Sequence, residues 1–267
     1  MRDILGYQGK CVVVTGAHSG MGAACARTLV ELGAEVHALD VKPIEAPVKQ
    51  TLLCDLSKRE SIDAAAQKLP ASIDCLFNCA GLPGPPFSNL DTTLVNFVGL
   101  RHLSEALLPR LPEGGAVASI TSVAGMGWLK NLENVKALVA TEGFDAGRAW
   151  LEAHPKENNG YLFSKQCIVF YTKQRAVELV TRKIRMNCLS PAPTDTPMLG
   201  DFHKQVSKEF LEQHFLAPIG RNATPEEMAE PLVLLNSNAA RFVSGQNLMV
   251  DWGYVASVEV GARPGLL

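Results

Sequence analysis

Short apolar runs alternate along the chain with stretches whose apolar residues recur three and four positions apart. The runs "CVVVTG", "EVHALD", "TLLCD", "IDCLFNCAG", "GAVASITS", "IRMNCLS" and "NLMVD" have the length and β-branched content of strands. Residues Gly20 to Leu32, Lys58 to Leu69, Leu90 to Leu111, Gly160 to Val180 and Pro225 to Asn236 follow helical spacing. Strand and helix thus alternate almost throughout, and apolar runs of this kind need cover on both faces. The pattern predicts a doubly wound α/β domain, a seven-stranded parallel sheet with helices on both sides. Pro43 and Pro47 predict a loop or single turn over Val41 to Gln50, where a full crossover helix could otherwise sit.

Two segments break the rhythm. Residues Gly125 to Asn159 hold the helix-like pieces "LENVKALVATEG" and "DAGRAWLEAHP", an insertion at about 126–158 between a strand and the next long helix. Pro191 to Arg221 is the other, with Met198, Leu199, Phe202, Val206, Phe210, Leu211 and Phe215 supplying an apolar face. Connections this long inside one domain are usually functional or carry structure of their own.

Composition narrows the function. The 267 residues suffice for one domain that buries its own core, so 1–267 is expected to fold as a single unit. A net charge of -2 without any Lys/Arg-rich run leaves no footprint for nucleic acid or an anionic membrane. The opening "MRDILGYQGK" has no apolar core of a signal peptide, and no uncharged run reaches spanning length. Seven cysteines, an odd number scattered through apolar runs, fit a reduced, cytoplasmic setting. Cys75 and Cys79 lack a second Cys or His cluster, and His18, His37, His102, His154, His203 and His214 have no ligand spacing, so no metal is expected.

The first run leads into "TGAHSGMG", placing Gly16, Gly20 and Gly22 at a strand-to-helix turn. Missing side chains there let backbone amides approach a pyrophosphate at the positive end of a helix. Asp40 closes the second strand about 20 residues further on, where a carboxylate accepts both hydroxyls of an adenosine ribose and repels a 2′-phosphate. The reading is a Rossmann-type fold that prefers NAD, with Lys42 leaving room for NADP. Asp55 in "CDLS" reads equally as an adenine neighbour or as an N-cap of the helix starting near Lys58.

These residues resemble the short-chain dehydrogenase/reductase family, and the likeness covers nearly the whole chain. Its markers stand in order: "TGAHSGMG", Asp55, "NCAG" from Asn78 to Gly81, Asn96, Ser122 in "SITSVAG", "YLFSK" and "SPAPTDTP". The wording of "EGFDAGRAWLEAHP" and "RMNCLSPAPTDTPML" is similar to bacterial family members that act on coniferyl alcohol and on 3α-hydroxysteroids. The resemblance implies a cofactor set of Gly16, Ser19, Gly20, Met21, Gly22, Asp40, Asp55, Leu56, Asn78, Ala80, Gly81, Tyr161, Lys165, Pro191, Thr194 and Thr196. It implies a catalytic set of Asn96, Ser122, Tyr161 and Lys165, with Asn96 supporting a water that links the lysine to solvent. Residues at about 192–217 would be the substrate loop. Ala192 and Trp252 stand where the family commonly has glycine.

The pair itself has a physical rationale. Tyr161 and Lys165 are four residues apart and share one helix face. An ammonium beside a phenol favours the phenolate, which can take a proton from an alcohol and return one to a carbonyl. Tyr171 has Arg175 at the same spacing, but a fork-shaped permanent cation suits that role less. Ser122 would orient the substrate oxygen. The chain is therefore expected to be an NAD-dependent alcohol dehydrogenase or carbonyl reductase acting on a bulky hydrophobic hydroxysteroid, aryl or terpenoid alcohol. The alternative is a regulator that senses NAD without turnover.

The insertion carries Leu132, Val135, Leu138, Val139, Phe144, Trp150 and Leu151, which need a surface to bury against. By the resemblance that surface is the pair of helices starting at Leu90 and Gly160, through which many relatives assemble. A homodimer built on the Pro225 helix and the "NLMVD" strand is then expected.

Overall fold

Every one of the seven apolar runs forms a strand in the computed structural model, which describes residues 3–205, 207, 210 and 215–264. The order is β1 (Cys11–Thr15), α1 (Gly20–Glu31), β2 (Glu35–Asp40), β3 (Gln50–Leu53), α2 (Arg59–Lys68) and β4 (Cys75–Asn78). There follow α3 (Asn89–Thr93), α4 (Leu100–Leu107), β5 (Ala116–Ile120), α5 (Leu132–Val139), α6 (Gly143–Ala153) and α7 (Tyr161–Glu178). The chain continues with β6 (Arg185–Pro191), α8 (Pro197–Gln205), α9 (Pro225–Asn236), β7 (Asn247–Val250) and α10 (Tyr254–Glu259). Val206, Leu211 and His214 lie outside the described residues, as does the side chain of His203.

All strand pairs are parallel, in the order β3-β2-β1-β4-β5-β6-β7. The chain winds outward from β1 in one direction and from β4 in the other, so the crossovers diverge at the carboxyl ends of these two strands. A crevice opens at such a switch point, which places the glycine loop and the segment after Asn78 on its two sides. The central strands are buried on both faces, as their unbroken apolar runs require. Apolar side chains of α1 and α9 cover one face, and α2, α4 and α7 cover the other. At the start of α9 the Thr224 hydroxyl accepts from Glu227 N while the Glu227 carboxylate accepts from Thr224 N, a reciprocal cap with Pro225 in the first turn.

One expected helix, Leu90 to Leu111, is not continuous. A π-helical stretch, Leu94–Gly99, separates α3 from α4, and a 3₁₀ turn follows at Leu108–Arg110. The widened turn brings Gly99 so close to α2's leading loop that a Cβ would lie 2.0 Å from the Leu56 carbonyl oxygen. Periodicity reads one apolar face across this region and does not register the extra residue per turn.

The insertion forms a 3₁₀ stretch (Val123–Asn131) and helices α5 and α6, and it packs on α7 and on the π-helical stretch. Val135, Leu138, Val139, Phe144 and Leu151 are buried in the same core cluster as α4 and α7, while Trp150 is partly buried against it. Full burial of such side chains stabilises by roughly 1.5–3 kcal/mol each. A buried guanidinium adds to this hold. From α4, Arg101 Nη1 donates to the Leu138 and Val139 carbonyls at 2.9 and 3.0 Å, and Nη2 donates to Thr141 Oγ1 and the Gly143 carbonyl at 3.0 and 2.8 Å. Its carbon lies 5.4 Å from the Phe97 ring centroid.

Candidate active site

The glycine loop has the geometry its sequence calls for. Gly16 adopts φ 71°, and a Cβ there would stand 2.6 Å from the Ala80 amide nitrogen, so only glycine lets β1's exit pass against β4's. At Gly22, in the first turn of α1, a Cβ would be 2.2 Å from the Gly16 carbonyl oxygen, which fixes the close seat of helix on loop. Thr15 Oγ1 accepts from the Cys79 and Ala80 amides at 3.2 and 3.3 Å, tying the two sides of the switch point together. This threonine escaped notice in the sequence, although its place at the polar end of an apolar strand was a usable signal.

Asp40 ends β2 and receives the His18 amide at 3.0 Å on one carboxylate oxygen and the Lys42 amide at 2.9 Å on the other. The acid thus holds the glycine loop to the β2 exit and stays partly open to the cleft. Asp55 is not the N-cap of α2: Lys58 holds that place without a side-chain cap, because the Asp55 carboxylate turns instead to Ser57 two residues on. It lines the cleft, and its carboxylate accepts from Ser57 N and Oγ at 2.9 and 2.6 Å and faces the Lys58 ammonium at 3.0 Å. Burial pushes its carboxyl up, but the Ser57 hydrogen bonds and Lys58 outweigh that and leave it below the usual range.

A cleft of about 540 Å³ runs along these groups. Its walls include Gly16, Ser19, Gly20, Met21, Gly22, Asp40, Asp55, Leu56, Ala80, Gly81 and Thr196 from the sequence-derived set. Asn78, Ser122, Tyr161, Lys165, Pro191 and Thr194 are not on its walls. Asn78 is buried beneath, where its Nδ2 donates to Ser104 and Ser119 hydroxyls at 3.1 and 3.2 Å while its Oδ1 has no partner among the described residues. Thr194 turns its hydroxyl to the Ala192 carbonyl at 2.8 Å. Tyr161 is covered by Phe202 of α8, ring edge to ring face, with centroids 5.2 Å apart. The same helix leads from Thr196, whose Cγ2 would be 3.0 Å from a Cβ placed on Gly20.

Beyond that cover the catalytic candidates converge. Tyr161 is the first residue of α7 and Lys165 lies one turn on, its Nζ 5.4 Å from the Tyr161 ring centroid. Ser122 follows β5 and its hydroxyl hydrogen-bonds the Tyr161 phenol. Burial pushes the phenol's pKa up, and the Ser122 hydrogen bond opposes it. Burial also pushes the Lys165 ammonium down, to about 8.

Asn96 sits in the π-helical stretch with no exposed surface. Its Oδ1 accepts from Leu82 N at 2.6 Å, and its Nδ2 donates to the Leu82 carbonyl at 3.0 Å and to Ser164 Oγ at 3.2 Å. The amide therefore fixes the wall after Gly81 and the first turn of α7 at once. Of these partners, Leu82 and Ser164 were missed in the sequence, which carries no periodic signal for a side chain that bridges two loops.

The dinucleotide reading fits this chain's residues: a cradle that any Cβ would fill, a helix N-terminus and a strand-end acid line one cleft. Among the described residues no group of three His, Cys, Asp or Glu side chains could hold a metal, and no helix is long and apolar enough to cross a membrane.

Comparison with known proteins agrees with this geometry. Residues 10–133 match the family described as short chain dehydrogenase, and residues 149–255 match the one described as enoyl-(acyl carrier protein) reductase. The chain is 35% identical over 250 residues to coniferyl-alcohol dehydrogenase of Pseudomonas sp. (strain HR199 / DSM 7063), covering 93% of this chain and 97% of that one. It is 30% identical over 252 residues to 3-alpha-hydroxysteroid dehydrogenase/carbonyl reductase of Comamonas testosteroni, covering 91% and 95%. The crystal structure of 3-alpha-hydroxysteroid dehydrogenase from Pseudomonas sp. B-0831 complexed with NADH superposes with a TM-score of 0.76 at 26% identity, covering 96% of this chain and all of that one.

Proposed function

Since the chain belongs to the short-chain dehydrogenase/reductase family, we propose that this oxidoreductase is NAD(H)-dependent and moves a hydride between the nicotinamide ring and a bulky hydrophobic alcohol or ketone. The observation that carries this reading is the meeting of Ser122, Tyr161 and Lys165 at the carboxyl end of β5 and the start of α7, next to the dinucleotide cleft.

When bound, the nicotinamide takes the hydride that leaves the carbinol carbon in oxidation and gives it back in reduction. The protein supplies the rest. Asp40 binds the ribose hydroxyls, and the amides of the glycine loop face the pyrophosphate. Ser122 donates to the substrate oxygen and orients it. Tyr161 takes the hydroxyl proton of an alcohol as its hydride departs, or protonates a carbonyl oxygen in the reverse direction. Lys165 and Asn96 lie behind the phenol; the Lys165 ammonium favours the phenolate form that accepts the alcohol proton, and Asn96 keeps the supporting wall in place.

Apolar side chains beyond Ser122 are in keeping with the substrate class. Val123, Met126, Phe215, Met249, Tyr254 and Val258 form one cluster just beyond the serine, and Phe202 stands over Tyr161. Side chains of this kind would hold a ring-bearing substrate by dispersion. The names of the similar proteins, dehydrogenases of coniferyl alcohol and of 3α-hydroxysteroids, point the same way. Formation of NADH, followed at 340 nm with hydroxysteroids, aryl alcohols and terpenoid alcohols, tests the reading. Tight NAD binding with no turnover across the panel would turn it toward a sensor.

A homodimer belongs to the same reading. Leu234 of α9, Leu248 of β7 and the neighbouring Trp252 are exposed together, whereas the insertion covers part of α4 and α7.

A further inference from the structure

Tyr161 stands where a helix holds a residue least firmly, at its first position, before any intrahelical N–H bond can close behind it. Hydrogen bonds on either side of it make up for that. Ahead of it, Gly160 has φ 69° and ψ -108°, and both of its backbone polar groups are taken. Its N–H donates to Asn158 Oδ1 at 3.0 Å, and its carbonyl accepts from Thr93 Oγ1 at 3.3 Å. The single Thr93 hydroxyl proton is shared between Asn158 Oδ1, at 2.7 Å, and that carbonyl, which also accepts from Ser164 N at 2.9 Å. Thr93 and Asn158 are 0% and 3% exposed, so water does not replace what they give. Behind it, Ser164 Oγ donates to the Tyr161 carbonyl at 2.7 Å and accepts from Asn96 Nδ2.

Thr93 and Asn96 belong to one short segment, the end of α3 and the start of the π-helical stretch. That segment therefore grips the residue before Tyr161 and the residue three beyond it. Asn158 is also where the insertion rejoins the scaffold. We propose that Thr93 and Asn158 are positioning residues for the reaction: they lock Gly160 in its left-handed turn and thereby set where the Tyr161 phenol meets Ser122 and Lys165. The inference rests on the catalytic reading of Tyr161 above. A misplacement of about 1 Å at such a group costs on the order of 10² in rate.

The test compares Thr93→Val, which removes the donor at constant shape, with Thr93→Ser, which keeps it, and adds Asn158→Ala. Thr93→Val and Asn158→Ala are each expected to lower kcat about 10-fold or more, with NADH affinity by fluorescence within about 2-fold of wild type, and Thr93→Ser to recover most of the rate. In a Tyr161→Phe background, Thr93→Val should change the residual rate no further, because it acts through the phenol. Equal losses in both backgrounds, or unchanged kcat in folded Thr93→Val and Asn158→Ala, would overturn the proposal. Phenol ionisation, read at 295 nm as the difference between each protein and its Tyr161→Phe counterpart, needs no turnover. The Tyr161 curve should move in Thr93→Val and return in Thr93→Ser, and superimposable curves would refute it. An inactive wild type whose Tyr161 curve still moves would instead count against the dehydrogenase reading alone.

Discussion

Lys165 Nζ donates to the Ile120 carbonyl at 3.1 Å, so the base of the candidate site is fastened to the last residue of β5, two positions ahead of Ser122. That bond keeps the ammonium in a place where burial disfavours it. The group's pKa falls to about 8 from the ordinary 10.5. Below about 8 both the folded and unfolded chains are protonated and the folded state bears the full penalty. As pH rises through that value the folded chain sheds its proton first, so this destabilisation fades and is gone near the unfolded pKa.

Lys165→Met should therefore be more stable than wild type near neutral pH, by at most roughly 3 kcal/mol for a shift of this size, and the gain should shrink toward pH 10. Turnover should be lost in the same variant. Urea unfolding at about pH 7 and pH 10 checks the pair of outcomes, and a variant less stable than wild type at both would contradict the burial argument.

Tyr161→Phe should lower turnover by at least about 10² while leaving NADH affinity nearly intact, because the ring still packs against Phe202 and only the proton carrier is gone. Steady-state rates and fluorescence titration read the two quantities separately. Turnover near that of wild type would remove the phenol from its assigned place.

NAD should give the higher kcat/KM, since a 2′-phosphate beside Asp40 meets a like charge. Asp40→Ala should narrow the preference and also raise KM for NAD, because the carboxylate holds the His18 and Lys42 amides. Equal kcat/KM for NADP in the wild type would exclude this assignment.

Arg101→Met should destabilise the protein by about 2–4 kcal/mol in urea, the consequence of leaving several buried acceptors of the insertion without a donor. Limited proteolysis should then cut first near Thr141 and Gly143, where the guanidinium now holds the turn between α5 and α6. Light scattering on the wild type should give the mass of a dimer, and a tetramer would mean that the α4 and α7 face is still free to pair.

Much of this was legible in the residues. The seven strands follow from unbroken apolar runs, and the glycine loop and Asp40 from residue types that only such a turn requires. Tyr161, Lys165 and Ser122 could be picked out because the ordered motifs resemble a known family. Asn96, by contrast, could be named without its geometry being foreseen: a π-helical stretch leaves no mark in a 3.6-residue period, and its partner Leu82 lies in a Pro-rich loop. Phe202 was visible as an apolar position, but its seat on Tyr161 depends on where α8 comes to rest, a tertiary matter. The burial that draws the Lys165 ammonium down to about 8 was not legible either, since it depends on how β5 and α7 close around the side chain.

Among the described residues, no carboxylate hydrogen-bonds Arg101 at its seam. All four of its acceptors are carbonyls or a hydroxyl, and although burial draws its pKa down, a guanidinium begins so high that it remains a cation across the working range of any enzyme. Such a joint has no titrating half to lose in mild alkali, and dissolved ions reach it poorly. Alcohol oxidation releases a proton, and mass action draws it forward as the solution becomes more basic. The seam between insertion and scaffold is thus expected to keep its bonds in mild alkali, where the alcohol oxidation proposed above would run furthest.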